Sequence, residues 1–296
     1  MSSDVRTRDL SANGLTFRVR EAGDGGDLVI LLHGFPETSA MWTDLMPRIA
    51  AAGYRVLAPD QRGYSPGARP AEVEEYRYAM LAADVAALAD ACGARRFHLV
   101  GHDWGALAGW AVVDQYPDRV ASWCAMSIPH AKAFALAVRD DPEEEPYRQA
   151  VALFVTPQVA EQVLLADGMA GLKAQAWTAC PPEQVADYVA VFSDGGAMTG
   201  ALNWYRASRS HARSLEDPSV PFGPVSVPTL LLWGRNDPYI RQRAIDLAAE
   251  QMRGEYRLVA LDAGHWLAEE KPDDVAREVL AHVAAHPLAQ GGATPA

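Results

Sequence analysis

The chain is poor in cysteine, in positive charge and in long apolar runs, and each shortage removes a class of protein. Only three cysteines, Cys92, Cys124 and Cys180, occur among 296 residues. They show no metal-like spacing, and an odd number completes no disulfide framework, so a reducing, cytoplasmic setting is expected. Lysine and arginine total 26 against 38 aspartates and glutamates, a formal charge of -12. That balance speaks against a nucleic-acid surface, which needs clustered basic side chains, and an anionic membrane would repel it too. The runs "LVILL" and "TLLLW" are far too short to span a bilayer. The opening "MSSDVRTRDL" has no apolar core, so no secretory leader is expected. The expected partner is a small uncharged or apolar substrate, with no nucleic acid and no membrane; a homodimer stays open.

What the chain does have is enough apolar sequence, 49% of its residues, to bury the core of one large domain. A hairpin is predicted at the start, turning at "ANG" before "LTFRV". Short apolar runs of buried-strand type follow: Leu28–Leu32, Arg55–Pro59 and Arg96–Val100, then "ASWCAMSI", "PTLLLWG" and "YRLVALD". Helical patterns separate them, one of which, "YAMLAADVAALADACG", stops at Gly93. Strands alternating with helices predict an α/β fold, a mostly parallel sheet covered on both faces. From 130 to 224 the pattern changes to short helices broken by Pro and Gly. The expected organisation is a core of residues 1–129 and 225–290, a helical lid inserted at 130–224, and a disordered tail at 291–296. The acidic run "RDDPEEEPYR" inside the lid reads as a solvated surface loop.

The chemistry gathers around "LVGHDWGALAG", where Asp103 stands between Gly101 and Gly105 at the junction of a predicted strand and helix. Flanking glycines suit a sharp strand-to-helix turn that holds its central residue in a strained conformation. In "LLHGFPETS", Gly34 permits an unusual turn and Pro36 fixes the next one. This loop can aim the Phe35 N–H above Asp103, where with the Trp104 N–H it forms an oxyanion hole. His33 is expected to brace the turn, and His102 to point to its other side. Two further strand ends offer Asp237 in "LLWGRNDPYI" and His265 in "ALDAGHWLAEEKP". Singly, each has a plain alternative: a helix cap for Asp103, a turn for Asp237, a surface loop for His265. Together they give nucleophile, acid and histidine in the order of the α/β-hydrolase triad, all at carboxyl ends of strands.

With "HGFP", "PDQRGYSPGARP", "GHDWG", "ALNWYR", "WGRND" and "AGHW" in place, the chain resembles the epoxide hydrolase branch of the α/β-hydrolase superfamily over nearly its whole length. A serine at the corner would accept an acyl group; an epoxide has no carbonyl, and a carboxylate can instead displace at its carbon to form an alkyl ester. The resemblance implies Asp103 as nucleophile, His265 as base, Asp237 as its orienting acid and Tyr205, in "ALNWYR", as donor to the ring oxygen. It implies no cofactor and no metal. Family members carry a second lid tyrosine. The best register puts Ala150 at that position, and Tyr147, one helical turn earlier on the same face, is the candidate second donor, with packing as its plain alternative. Haloalkane dehalogenases share the aspartate and hold halide with indole N–H groups, so Trp104 with Trp177 or Trp204 keeps that reaction as the alternative; Phe35 speaks against it. A ligand-binding protein without turnover is a third reading, opposed by the complete set of Asp103, Asp237 and His265.

Overall fold

The computed structural model describes residues 4–208 and 223–288. The expected tail at 291–296, and the stretch 209–222 of the expected lid, lie outside the described residues.

Eight strands form one sheet in the order β1-β2-β4-β3-β5-β6-β7-β8. The hairpin β1 (Arg6–Ala12) and β2 (Leu15–Ala22) turns at Asn13 and Gly14, both with positive φ, as a tight hairpin turn requires. β2 pairs antiparallel with both neighbours. All other pairs are parallel: β3 (Leu28–Leu32), β4 (Arg55–Pro59), β5 (Phe97–His102), β6 (Val120–Met126), β7 (Thr229–Gly234) and β8 (Tyr256–Leu261). Every residue of β3, β5, β6 and β7 is buried, whereas β8 at the edge is largely half-buried. Continuous burial explains why these strands read as unbroken apolar runs rather than alternating ones.

The strand order places the site. From β3 the chain moves outward to β4, then returns to place β5 on the other side of β3. Loops leaving β3 and β5 therefore diverge, opening a crevice at the carboxyl ends of the strands. Helices α1 (Leu45–Ala51), α2 (Tyr78–Ala91) and α3 (Trp104–Gln115) complete the first half. α2 ends just before Gly93, whose φ of 67° supplies the predicted stop.

Among the described residues, five helices come between β6 and β7: α4 (Ala131–Asp140), α5 (Glu145–Phe154), α6 (Val159–Gln175), α7 (Pro182–Ser193) and α8 (Ala197–Ala207). α4 packs against the later helix α9 (Gln242–Ala248), and the last long helix is α10 (Pro272–Ala285). The acidic run is more structured than a solvated loop. Pro142–Glu144 form a 3-10 turn leading into α5, where acidic side chains suit a helix N-terminus, and Glu144 is buried with its Oε1 accepting from the Arg241 N–H. α6 is broken: Asp167, Gly168 and Met169 all have positive φ. No single helix among the described residues is long and apolar enough to cross a membrane.

The covering segment is tied to β2 and to the loops after β3 and β4 by charge and by indole groups. Arg18 and Arg20 of β2 both reach Asp187, which also accepts from the Thr38 hydroxyl at 2.6 Å. Arg69 pairs with Asp194. Trp177 Nε1 donates to the Pro36 carbonyl at 3.1 Å, and Trp204 Nε1 to that of Arg62 at 2.8 Å. α6 makes its ion pair with α8 instead, through Glu161 and Arg206.

Candidate active site

Asp103 lies between β5 and α3 with φ 50° and ψ -118°, a conformation that costs an L-residue energy and turns the side chain out of the sheet. Its neighbours must lack side chains. A Cβ on Gly101 would meet the Gly105 carbonyl oxygen at 2.4 Å, and one on Gly105 would meet that of Leu32 at 2.2 Å. A Cβ on Gly34 would lie 2.5 Å from the Asp103 Cβ. The loop after β3 thus runs directly over the nucleophile candidate. From it the Phe35 N–H donates to Asp103 Oδ1 at 2.9 Å. The Phe35–Pro36 peptide is cis. Trp104 is the first residue of α3, where helix geometry leaves the amide without an intrahelical acceptor.

Asp237 and His265 arrive on the loops after β7 and β8. Those loops touch: a Cβ on Gly234 would meet the Gly264 oxygen at 2.0 Å. Asp237 Oδ1 accepts from the Tyr239 and Ile240 N–H groups at 2.7 and 3.0 Å, and Oδ2 lies 2.8 Å from His265 Nδ1. His265 Nε2 in turn lies 3.4 Å from Asp103 Oδ2. The three residues therefore form one line, Asp237–His265–Asp103.

Burial is the largest influence on His265 and pushes its pKa down, but Asp237 and Asp103 outweigh it and leave it well above the ordinary 6.5. Burial likewise pushes Asp103 up, and His265 outweighs it, so the carboxyl sits below its ordinary 3.8. The pair rests as imidazolium and carboxylate.

A cavity of about 310 Å³ opens above Asp103, between the sheet and α5, α6 and α8. Its lining includes Phe35, Tyr147, Ala150, Tyr205, Tyr239 and His265, and is otherwise mostly apolar. Tyr205 packs edge-on to Trp104 and Phe154, with centroids 4.8 and 5.0 Å away. Tyr147 packs against Phe134 at 5.0 Å. Burial, with the nearby Asp103 charge adding to it, holds both phenols well above their ordinary 10, so both are protonated donors. The Trp104 indole bonds the Tyr205 hydroxyl and partly offsets that rise. Trp177 and Trp204, the indoles considered for a halide, donate instead to backbone carbonyls and lie outside this lining.

His33 is buried between the Gly34 oxygen at Nδ1 and the Gln61 N–H at Nε2, 2.9 and 3.0 Å away, and so braces the turn. Burial lowers it to about 4, which keeps it neutral. His102 points away from the cavity, as expected, and into a network that the sequence did not reveal. Its Nε2 lies 2.9 Å from the His265 carbonyl, which also accepts from the Ser127 hydroxyl. A carbonyl only accepts, so Nε2 carries the hydrogen. Burial lowers the His102 pKa and keeps the ring neutral, so Nδ1 is an acceptor, and Glu37 Oε2 at 3.1 Å must supply the proton. Burial, chiefly, raises Glu37 to about 8, in agreement. Glu269 lies against Glu37 and is itself raised well above 4.5 by burial and by Glu37. Two neutral acids thus stand behind the histidine. Nothing short of their meeting in space marks residues 37, 102 and 269 as one unit.

Among the described residues, oxygen and sulfur atoms of Glu37, Cys180 and Glu269 also lie within 4.8 Å of one another. With the two acids protonated, this group is a poor metal site, since ligands must be deprotonated.

Comparison with known proteins identifies the family. The α/β-hydrolase fold family matches residues 27–272. Epoxide hydrolase A of Mycobacterium tuberculosis is 34% identical over 315 aligned positions, covering 92% of this chain and 95% of that protein. The crystal structure of epoxide hydrolase A from Mycobacterium thermoresistibile superposes with a TM-score of 0.79 at 30% identity, covering 97% of this chain and 100% of that one. A Bacillus megaterium epoxide hydrolase, solved with an inhibitor, shares the fold with a TM-score of 0.84 at 23% identity over 93% of this chain and 99% of its own. The chain belongs to the α/β-hydrolase fold family, in its epoxide hydrolase branch.

Proposed function

We propose that this protein hydrolyses an epoxide to a vicinal diol through an ester on Asp103. The observation that carries the reading is a carboxylate held below two protonated phenols, with a histidine–aspartate pair at its side.

In the first half-reaction an Asp103 oxygen attacks an epoxide carbon and the ring C–O bond breaks. The departing oxygen takes a proton from Tyr205 or Tyr147, leaving a phenolate that the His265 imidazolium reprotonates. Esterification removes the Asp103 charge, and burial then favours the neutral imidazole. The base appears only once there is an ester to hydrolyse.

In the second half-reaction His265 takes a proton from water, and the oxygen attacks the Asp103 ester carbonyl. The N–H groups of Phe35 and Trp104 hold the oxyanion. Collapse expels the diol oxygen, which leaves with the second water proton. Asp103 and the imidazolium are regenerated, so the protons balance over the cycle.

Intact mass spectrometry of His265→Gln mixed with 1,2-epoxyhexane tests this directly. A gain equal to the whole epoxide, absent from the Asp103→Asn, His265→Gln double variant, is expected. A gain of only the alkyl group from 1-bromohexane, with none from epoxides, would replace the reading by dehalogenation. No adduct from either would remove Asp103 as nucleophile.

A further inference from the structure

Three side chains of the cavity lining with a polar group take no part in that reaction, Gln175, Tyr239 and Trp266, and the Trp266 indole nitrogen is buried away from the open space. Gln175 is exposed at the rim, where solvent reaches its amide. Tyr239 is half-buried and held at two points. Its N–H donates to the triad acid Asp237, and its ring stands edge-on to His265 with centroids 5.2 Å apart and to Trp266 at 6.0 Å. The position of the ring is thus fixed by the triad itself. Its hydroxyl has no side-chain or backbone partner among the described residues, and it lies near enough to Asp237 and Asp103 to feel their charge. Burial and those carboxylates keep it protonated. The rest of the cavity lining, with Leu172, Ala176 and Ile240 among it, is mostly apolar.

A substrate that fills this part of the cavity expels the water that would otherwise satisfy the hydroxyl. A hydrocarbon leaves the donor unpaired, and a site built to donate rejects analogues that cannot accept. An anionic acceptor is disfavoured by the same two carboxylates. We propose that Tyr239 is a specificity-determining residue, donating its hydroxyl to a second, neutral oxygen of the substrate. The preferred substrates are then epoxides whose substituent along the His265 wall carries a hydroxyl, ether or carbonyl oxygen. This inference rests on the epoxide reading above and adds the class of epoxide.

Matched substrate pairs test it. Ethyl glycidyl ether replaces one methylene of 1,2-epoxyhexane by oxygen, and 5,6-epoxyhexan-1-ol replaces the methyl of 1,2-epoxyheptane by hydroxyl. The ratio of kcat/KM within each pair is compared between the wild type and Tyr239→Phe, which keeps the ring against His265, so that intrinsic reactivity cancels. The expected result is a wild-type preference for the oxygenated member of at least one pair, reduced about tenfold in Tyr239→Phe, the size of one hydrogen bond, through a loss confined to that member. Equal loss for both members would make Tyr239 a general support of His265 and overturn the inference, as would no change in either ratio. Absence of turnover and of trapped ester with every epoxide would instead bring down the epoxide reading, and this inference with it.

Discussion

The Phe35 amide donates a hydrogen bond to Asp103 Oδ1 at 2.9 Å while the other carboxylate oxygen faces His265. The nucleophile therefore rests with one oxygen already in the hole proposed to hold it as an oxyanion. During attack on the substrate that N–H opposes the reaction slightly, because it stabilises the charge being lost. During ester hydrolysis it helps, because charge returns to the same oxygen. The arrangement favours the second half-reaction, the harder of the two when the ester is an alkyl ester with a poor leaving group.

The pH dependence of the two halves should separate accordingly. Asp103 is ionised below its ordinary 3.8, so the acid limb of ester formation should fall under pH 3.8 in rapid-mixing mass measurements. Hydrolysis needs neutral His265. Since Asp103 raises the His265 pKa, loss of that charge on esterification should lower it. The limb for hydrolysis should therefore lie at lower pH than the His265 titration of the free enzyme followed by NMR. A hydrolysis limb at or above that titration would refute the proposed timing.

Tyr147 and Tyr205 should share the work of protonating the ring oxygen. Phe at either position alone should slow ester formation by about 10- to 100-fold, and Phe at both by about 1,000-fold or more, within the range for a positioned acid. Ala150 lines the same cavity. Ala150→Tyr placed in the Tyr147→Phe background should therefore recover part of the rate. Single-turnover accumulation of ester in the His265→Gln background reads these steps without the hydrolysis that follows.

Gly34→Ala should cost activity more than stability. The new Cβ would stand 2.5 Å from the Asp103 Cβ and 2.9 Å from its Oδ1, so loop and nucleophile must part. Overpacking of this kind costs about 1–3 kcal/mol, seen as a Tm lower by several degrees. A fall in kcat/KM of about 100-fold or more is expected from the displaced carboxylate. Unchanged kcat/KM in a folded variant would show that the loop need not touch Asp103.

Glu37→Gln should change how stability depends on pH. The folded state holds the Glu37 proton up to about 8, whereas the unfolded chain releases it near the ordinary 4.5. The folded state binds more protons between those values, so the wild type loses stability as pH rises through the window. Glutamine keeps a donor for His102 and does not titrate. Urea midpoints should therefore shift in favour of Glu37→Gln progressively from pH 4.5 to 8; a constant difference would mean that Glu37 is ionised in the fold.

Much of this was legible in the chain itself, for identifiable reasons. Asp103, Asp237 and His265 each follow a fully or partly buried strand and lie within three residues of a glycine whose Cβ would collide with its surroundings, so local sequence carries their positions. Tyr147 was legible through helix periodicity, which puts it on the face of α5 that Ala150 shares. The acids behind His265 were not, because Glu37 and Glu269 are distant in sequence and neither lies in a pattern of its own. Tyr239 was hidden differently: two residues after the triad acid, a tyrosine reads as turn packing until the fold places it in the cavity lining. The break in α6 falls at Asp167 and Gly168, residue types that tolerate left-handed backbone, but it also needs that conformation at Met169, which does not announce it.

The uneven attachment of the covering helices has an evolutionary consequence. α7 is fastened to the sheet through Asp187, and α8 to the loop after β4 through Trp204, so substitutions there are felt as melting. α6 supplies Val163, Leu164 and Leu172 to the cavity and fastens to its neighbour α8 rather than to the sheet. Heritable variation can therefore remodel what enters the cavity while folding and chemistry stay under separate selection. A library confined to α6 should diversify substrate choice at little thermal cost, whereas one drawn from α7 and α8 should mostly yield inactive, unstable protein.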